Sequence, residues 1–143
     1  MSEFLVSIRP RYGEVDNMGV VYHAHYLVYF ELGRTEFMRA HGASYADIEA
    51  RGFRLAVVDA GLRYRRPARY DQQIEVAVWL SQLGRATLTF RYELWDADGV
   101  VLASGHTRLG CLDTEGRPVP VPADIHAALK KGMKPDAPAS ERS

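Results

Sequence analysis

Between Gln72 and Leu112 the chain alternates apolar and polar residues through three consecutive runs, and this pattern leaves little choice of architecture. Ile74, Val76, Val78 and Leu80 alternate with Glu75 and Ser81; Leu88, Phe90, Tyr92 and Leu94 alternate with Thr87, Thr89, Arg91 and Glu93; Val100 to Leu112 continues the theme. A period of two sends successive side chains to opposite faces of a strand. Gly84 and the Asp96-Ala97-Asp98-Gly99 stretch supply turns between the runs, so the segment predicts two hairpins of an antiparallel meander. One face of that meander is apolar and needs a cover.

A long helix is encoded upstream. From about Tyr22 to His41 the residues Tyr26, Phe30, Phe37 and Ala40 recur near helical spacing, while Glu31, Arg34, Glu36 and Arg39 supply a polar side. This predicts a helix of roughly 19 residues, about 28 Å long. Gly33 inside it costs about 1 kcal/mol relative to Ala, which implies that something packs closely against that face. Gly42 is placed to end the helix, Ser44 to cap a second one over Tyr45 to Arg51, and Gly52 to stop that in turn. Strands over Phe4 to Arg11 and Leu55 to Arg66 complete an antiparallel sheet of about five strands, and Thr114 to Pro118 closes the meander. Asp124 is expected to cap a short helix over Ile125 to Lys131. Periodicity therefore gives an α+β fold in one domain over residues 1–133, with 134–143, rich in Pro, Ala and Ser, as a disordered tail.

Several function classes drop out on composition. Eighteen basic and eighteen acidic residues balance, so the chain has no cationic excess for nucleic acid, and any anion site must be local. The lone Cys111 lies in an apolar run and reads as a buried thiol suited to a reducing cytoplasm. No stretch has the length or apolarity of a signal peptide or membrane span. His23-Ala24-His25 is a poor metal motif, because helical residues two apart diverge by about 200 degrees; no metal is expected. Leu102-Ala103-Ser104-Gly105-His106 lacks the first glycine of a nucleophilic serine elbow, and phosphate loops and dinucleotide fingerprints are missing.

One carboxylate stands out. Asp16 sits in a turn three residues before Gly19, just ahead of the long helix. The N-terminus of a helix offers unpaired N–H groups and a positive dipole end, so an oxygen that becomes negative during a reaction is stabilised there while Asp16 acts as base or nucleophile. Read alone, Asp16 could equally stabilise its own turn.

The run from Asp16 to Glu36, D-N-M-G-V-V-Y-H-A-H-Y-L-V-Y-F-E-L-G-R-T-E, closely resembles the signature of the 4-hydroxybenzoyl-CoA thioesterase family, whose members adopt the hotdog fold and hydrolyse acyl-CoA thioesters. Pro67-Ala68-Arg69-Tyr70-Asp71 is a second match, although Gln72 replaces the final acid of the family's P-A-x-Y-D-D pattern. The resemblance implies that the sheet wraps the long helix, that Asp16 is the catalytic carboxylate, and that a backbone N–H near His23 polarises the thioester carbonyl. His23 then orients water or shuttles a proton, or else is a partly buried histidine satisfied by a carbonyl. Tyr12 matches a site-lining tyrosine, or on its strand belongs to the core. Gly19, Val21 and Tyr22 form the approach to the helix, and Tyr26 and Val58 are among the residues that would shape an acyl pocket. No cofactor is implied beyond coenzyme A as part of the substrate.

Arg65, Arg66 and Arg69, with Arg85 on a neighbouring element, are suited to the phosphates of coenzyme A, or form a solvated charged edge. An exposed sheet edge together with the resemblance predicts a homo-oligomer, a dimer or a dimer of dimers, with active sites between paired subunits. The competing readings are a hotdog dehydratase or hydratase and a non-catalytic acyl-CoA-binding module.

Overall fold

In the computed structural model, which describes residues 4–134, strand β1 (Phe4–Ile8) leads through a 3-10 turn (Tyr12–Glu14) to helix α1 (His25–Ala40). Helix α2 (Tyr45–Ala50) and strand β2 (Arg54–Tyr64) follow, then β3 (Ile74–Leu83), β4 (Thr87–Trp95), β5 (Val101–Leu112) and helix α3 (Ala123–Lys130). The strands form one antiparallel sheet in the order β1-β3-β4-β5-β2. The two hairpins fall where the turn residues put them, so β3, β4 and β5 are neighbours, while β1 and β2 are the edges.

The apolar face of the meander is buried against α1 as the alternation requires. Ile74, Val76, Val78 and Leu80 from β3, Leu88, Phe90, Tyr92 and Leu94 from β4, and Leu109 and Cys111 from β5 form one core with Tyr26, Tyr29, Phe30, Phe37 and Met38 of α1. Phe30 stacks on Tyr92 with ring centroids 4.5 Å apart. Burial pushes the Cys111 thiol above its usual range, as expected for a structural thiol.

The helix is shorter than the sequence predicts, at 16 residues, and the reason is local. The amides of Val21 and Tyr22 are committed to the carbonyls of Ala68 and Glu14, at 2.8 and 2.9 Å, so the chain there is extended and helical turns begin only after Tyr22. Arg34, expected on the solvent side, is instead buried. Its Nε donates to the Tyr45 hydroxyl at 2.6 Å, and Nη1 donates to the hydroxyls of Tyr92 and Thr107 at 3.2 and 3.3 Å. Three oxygens thus satisfy a cation that charge pattern alone places in water.

Ser44 caps α2 as expected, accepting from the Asp47 amide at 3.3 Å. Asp124 does not cap α3. The N-cap is Pro122, and Asp124 lies one residue inside the helix, where it receives both Nη groups of Arg51 at 2.8 and 3.0 Å. Among the described residues no helix is long and apolar enough to cross a membrane. The stretch expected to be disordered, 134–143, lies outside the described residues except for Lys134, whose amide donates to the Leu80 carbonyl at 2.8 Å.

At Gly33 the helix backbone packs directly against the sheet. A Cβ added there would lie 2.6 Å from Val78 Cγ2 and 2.8 Å from Val76 Cγ1. Both valines are fully buried on a central strand, so neither yields cheaply. Overpacking of this kind costs about 1–3 kcal/mol, against about 1 kcal/mol gained in helix propensity. Gly33→Ala is therefore expected to lower the urea midpoint, and Val78→Ala should cost less in that background than in the natural chain. An unchanged midpoint for Gly33→Ala would show that the sheet yields.

Candidate active site

The site is assembled from the two segments that the sequence singled out, held together by backbone hydrogen bonds. After the 3-10 turn, Val15 pairs with Val21 in an antiparallel bridge, and the Asp16 amide donates to the Val20 carbonyl at 2.8 Å. The reversal between them needs the left-handed conformation of Gly19, at φ 78°. Val20 pairs in turn with Arg69. The Val21 amide donates to the Ala68 carbonyl at 2.8 Å, and that of Asp71 to the Pro10 carbonyl at 2.9 Å. The Ala68 amide donates to the Tyr26 hydroxyl at 3.1 Å, which ties the second segment to α1 as well. Gln72, where the family pattern has an acid, accepts the Arg69 amide through Oε1 at 2.9 Å.

Asp16 is exposed, and one of its oxygens is occupied. Oδ1 accepts from the Met18 amide at 2.8 Å and the Val20 amide at 3.4 Å, an Asx-turn that fixes the side chain. Among the described residues Oδ2 has no partner. The carboxylate lines a cavity of about 450 Å³ with Tyr12, Val15, Asn17, Gly19 and Tyr70. Tyr12 belongs to the 3-10 turn, not to a strand, and is 80% exposed, which removes it from the core. Its ring meets that of Tyr70 edge to face, 5.8 Å between centroids.

A second cavity of about 270 Å³ is lined by Val21, His23, Tyr26, Tyr64, Arg65 and Arg66 together with Pro67. Tyr26 and Tyr64 meet edge to face at 4.9 Å, and the Tyr64 hydroxyl donates to the His23 carbonyl at 2.8 Å. Since the Tyr26 hydroxyl is also engaged, the two tyrosines offer this cavity mainly ring surface. The His23 side chain is exposed, which removes the buried-histidine alternative; its ring lies 4.4 Å from that of Tyr22, itself half exposed. Helix α1 begins at an N-cap, Ala24, that has no side-chain acceptor; the His25 amide donates to the Tyr22 carbonyl at 2.9 Å, and the amides that follow it have no side-chain cap.

The fold thus brings together Tyr12, Asp16 and Gly19 at one cavity, Val21, His23, Tyr26, Arg65 and Arg66 at the other, and Arg69 beside the strip that links them. It does not bring Val58 or Arg85 to either within one chain. Val58 sits in a bulge of edge strand β2, 61% exposed and six residues from Tyr64, a strand distance of about 20 Å. Arg85 occupies the turn after β3, at the end of the sheet away from Ile8 and Asp16, about 30 Å along the strand.

Glu14 was not singled out by sequence reasoning. Its Oε1 accepts from the Tyr29 hydroxyl and the Arg11 amide, both at 2.8 Å, and Oε2 lies 3.9 Å from His25 Nε2. Burial acts to raise its pKa, but the Arg11 amide, the Tyr29 hydroxyl and the His25 charge outweigh it and hold the carboxyl below its usual range. Burial, reinforced by the bond to Glu14, drives the Tyr29 phenol well above its ordinary range. The available signal was the i, i+4 spacing of His25 and Tyr29, which sets both on one side of α1.

Comparison with known proteins agrees with this architecture. Residues 10–129 match the family described as the thioesterase-like superfamily. The chain is 29% identical over 125 residues to the acyl-CoA thioester hydrolase YbgC of Escherichia coli O6:H1, covering 87% of this chain and 93% of that protein. Among solved structures, the hypothetical protein TT1821 of Thermus thermophilus superposes with a TM-score of 0.86 at 41% identity, over 91% of this chain and 99% of that one. The DHNA-CoA thioesterase of Staphylococcus aureus superposes with a TM-score of 0.84 at 30% identity, over 89% and 88% respectively.

Proposed function

We propose, for a chain that belongs to the thioesterase-like superfamily and is a hotdog-fold thioester hydrolase, that it hydrolyses acyl-CoA with Asp16 as the reacting carboxylate. The observation that carries this is the state of Asp16: pinned by the Met18 amide through one oxygen, with no partner at the other among the described residues, and lining a cavity in the turn that leads to α1. As a general base, Asp16 takes a proton from water as the water oxygen adds to the thioester carbon; the carbon–sulfur bond then breaks, and the thiolate of coenzyme A leaves with the proton. As a nucleophile, Asp16 adds to the same carbon, expels the thiolate and forms a mixed anhydride that water cleaves to the free acid. Either route places negative charge on the carbonyl oxygen, where amides at the start of α1, near His23, would receive it. The competing reading, a binding module without turnover, predicts no release of thiol in a panel of aromatic, short-chain and medium-chain acyl-CoAs.

Asp16→Asn is a clean test, because its carboxamide oxygen can still accept the Met18 amide and keep the turn. Thioester hydrolysis should fall about 100-fold or more with the fold intact, since a carboxamide neither attacks nor accepts the proton. Near wild-type turnover in the folded variant would reject the assignment.

Arg65, Arg66 and Arg69 stand around the second cavity and its approach, and we assign them the phosphates of coenzyme A; Arg85 is left out on its position. These phosphates lie far from the reacting carbonyl, so the Ala variants should raise KM and leave kcat nearly unchanged. Added salt should weaken acyl-CoA more than an acyl-pantetheine that lacks the nucleotide. Equal salt sensitivity, or an unaltered KM, would make these arginines a solvated edge.

The working unit is proposed to be a dimer or a dimer of dimers. The free side of β2, an edge strand of 11 residues, has a backbone that a twofold copy can pair. Val57 and Val58 on that strand are 51% and 61% exposed, and Leu27, Val28 and Leu32 of α1 are at least 40% exposed. A partner strand set along β2 would also give Val58 a place near a site that it cannot reach in one chain. Light scattering at micromolar concentration should return at least twice the 16.1 kDa chain mass, and a monomer mass would overturn this.

A further inference from the structure

We propose that Glu14 is a positioning residue for Asp16: its carboxylate clamps the turn that carries Asp16 onto helix α1. The proposal rests on the reading of Asp16 as the reacting carboxylate.

The geometry is that of a three-way tie. Glu14 Oε1 receives the Arg11 amide from the start of the 3-10 turn and the Tyr29 hydroxyl from the second turn of α1. The Glu14 carbonyl receives the Tyr22 amide at 2.9 Å, across the same ladder in which Asp16 donates to Val20. His25 sets its imidazole 3.9 Å from Oε2, on the same helix face as Tyr29. Asp16 is only two residues further on, so this side chain adds a direct side-chain tie to α1 beside the backbone ladder that joins the Asp16 turn to the start of the helix. Tyr29 is 2% exposed, so loss of the Glu14 oxygen takes away the acceptor of a buried hydroxyl and leaves the turn free to drift. A small misplacement of a reacting group slows the chemical step far more than it weakens binding.

The test compares Glu14→Ala, Glu14→Gln and Tyr29→Phe in the full chain, with kcat and KM measured separately for an acyl-CoA that the natural protein hydrolyses. Gln keeps an oxygen that can accept both the Arg11 amide and the Tyr29 hydroxyl; Ala keeps none. Glu14→Ala should lower kcat about tenfold or more with KM within about twofold, and Glu14→Gln should recover kcat to within about threefold of the natural chain. Tyr29→Phe should lose about threefold in kcat alone and nothing further when added to Glu14→Ala, because the two variants break the same bond. The clamp is overturned by a Glu14→Ala protein with unchanged kcat, by a loss confined to KM, or by a Gln variant no better than Ala. If Glu14→Ala does not fold, Tyr29→Phe with unchanged kcat overturns it instead. Asp16→Asn separates the two claims: with Asp16→Asn inactive and Glu14→Ala normal, only the clamp fails, whereas an active Asp16→Asn removes the reading of Asp16 and the clamp with it.

Discussion

The approach of helix α1 to the centre of the sheet at Gly33 is the contact on which the rest of the structure depends. With no side chain there, the helix backbone settles against Val76 and Val78, and every other contact of the helix is set by that distance. Phe30 can then stack on Tyr92, and the space behind Phe30 is kept by Gly105, where a Cβ would lie 2.5 Å from the Gly61 carbonyl oxygen and 2.7 Å from the Phe30 ring. Arg34, next to Gly33, is carried into the same interface and is tolerated because Tyr45, Tyr92 and Thr107 each offer it an oxygen. A helix held further out would leave that cation beside unpaired hydroxyls.

The seat of the helix also determines where its first turn lies, and the candidate site is built outward from there. Residues 20–22 do not extend the helix, because the Val21 and Tyr22 amides are taken by the Ala68 and Glu14 carbonyls and the Val20 carbonyl by the Asp16 amide; the segment is extended by competition from neighbouring backbone, not by a lack of helix-forming residues. The segment 67–71 matters for the same reason. It contributes no nucleophile, yet Ala68 supplies both a carbonyl for Val21 and an amide for the Tyr26 hydroxyl, and so joins the Asp16 turn to the helix. Two motifs about fifty residues apart in sequence are one hydrogen-bonded unit in space.

Much of this was legible in the sequence, and what was missed shares one physical cause. Strict alternation identified β3, β4 and β5, and the out-of-place Gly33 announced the helix–sheet contact, because both signals come from local periodicity and packing. The D-x-x-G turn before an amphipathic helix located Asp16 for the same reason. Tertiary hydrogen bonding is not periodic, and it accounts for the errors: the late start of α1, the burial of Arg34, and the Arg51 pairing that takes Asp124 away from a capping role. The arginines show the limit in another form. Arg65, Arg66, Arg69 and Arg85 look alike as charges, and only strand direction separates the last from the others by the length of the sheet.

Glu14 and Asp16 are two carboxylates in different surroundings within one short stretch of chain. They are two residues apart and chemically almost the same, so residue type cannot distinguish them. Their surroundings can. Glu14 is largely enclosed, accepts from an amide and a buried phenol through one oxygen, and has an imidazole near the other; an oxygen so engaged is a poor base and a poor nucleophile. Asp16 is held through Oδ1, lines an open cavity, and has no partner for Oδ2 among the described residues, which leaves a lone pair available while the side chain stays oriented. A satisfied carboxylate suits fixing geometry, and a half-satisfied one suits reaction. Exchanging Glu14 and Asp16 would retain the composition and net charge of the chain and lose that division, because the shorter Asp side chain would not span to Tyr29 and the longer Glu would not close the turn on Met18.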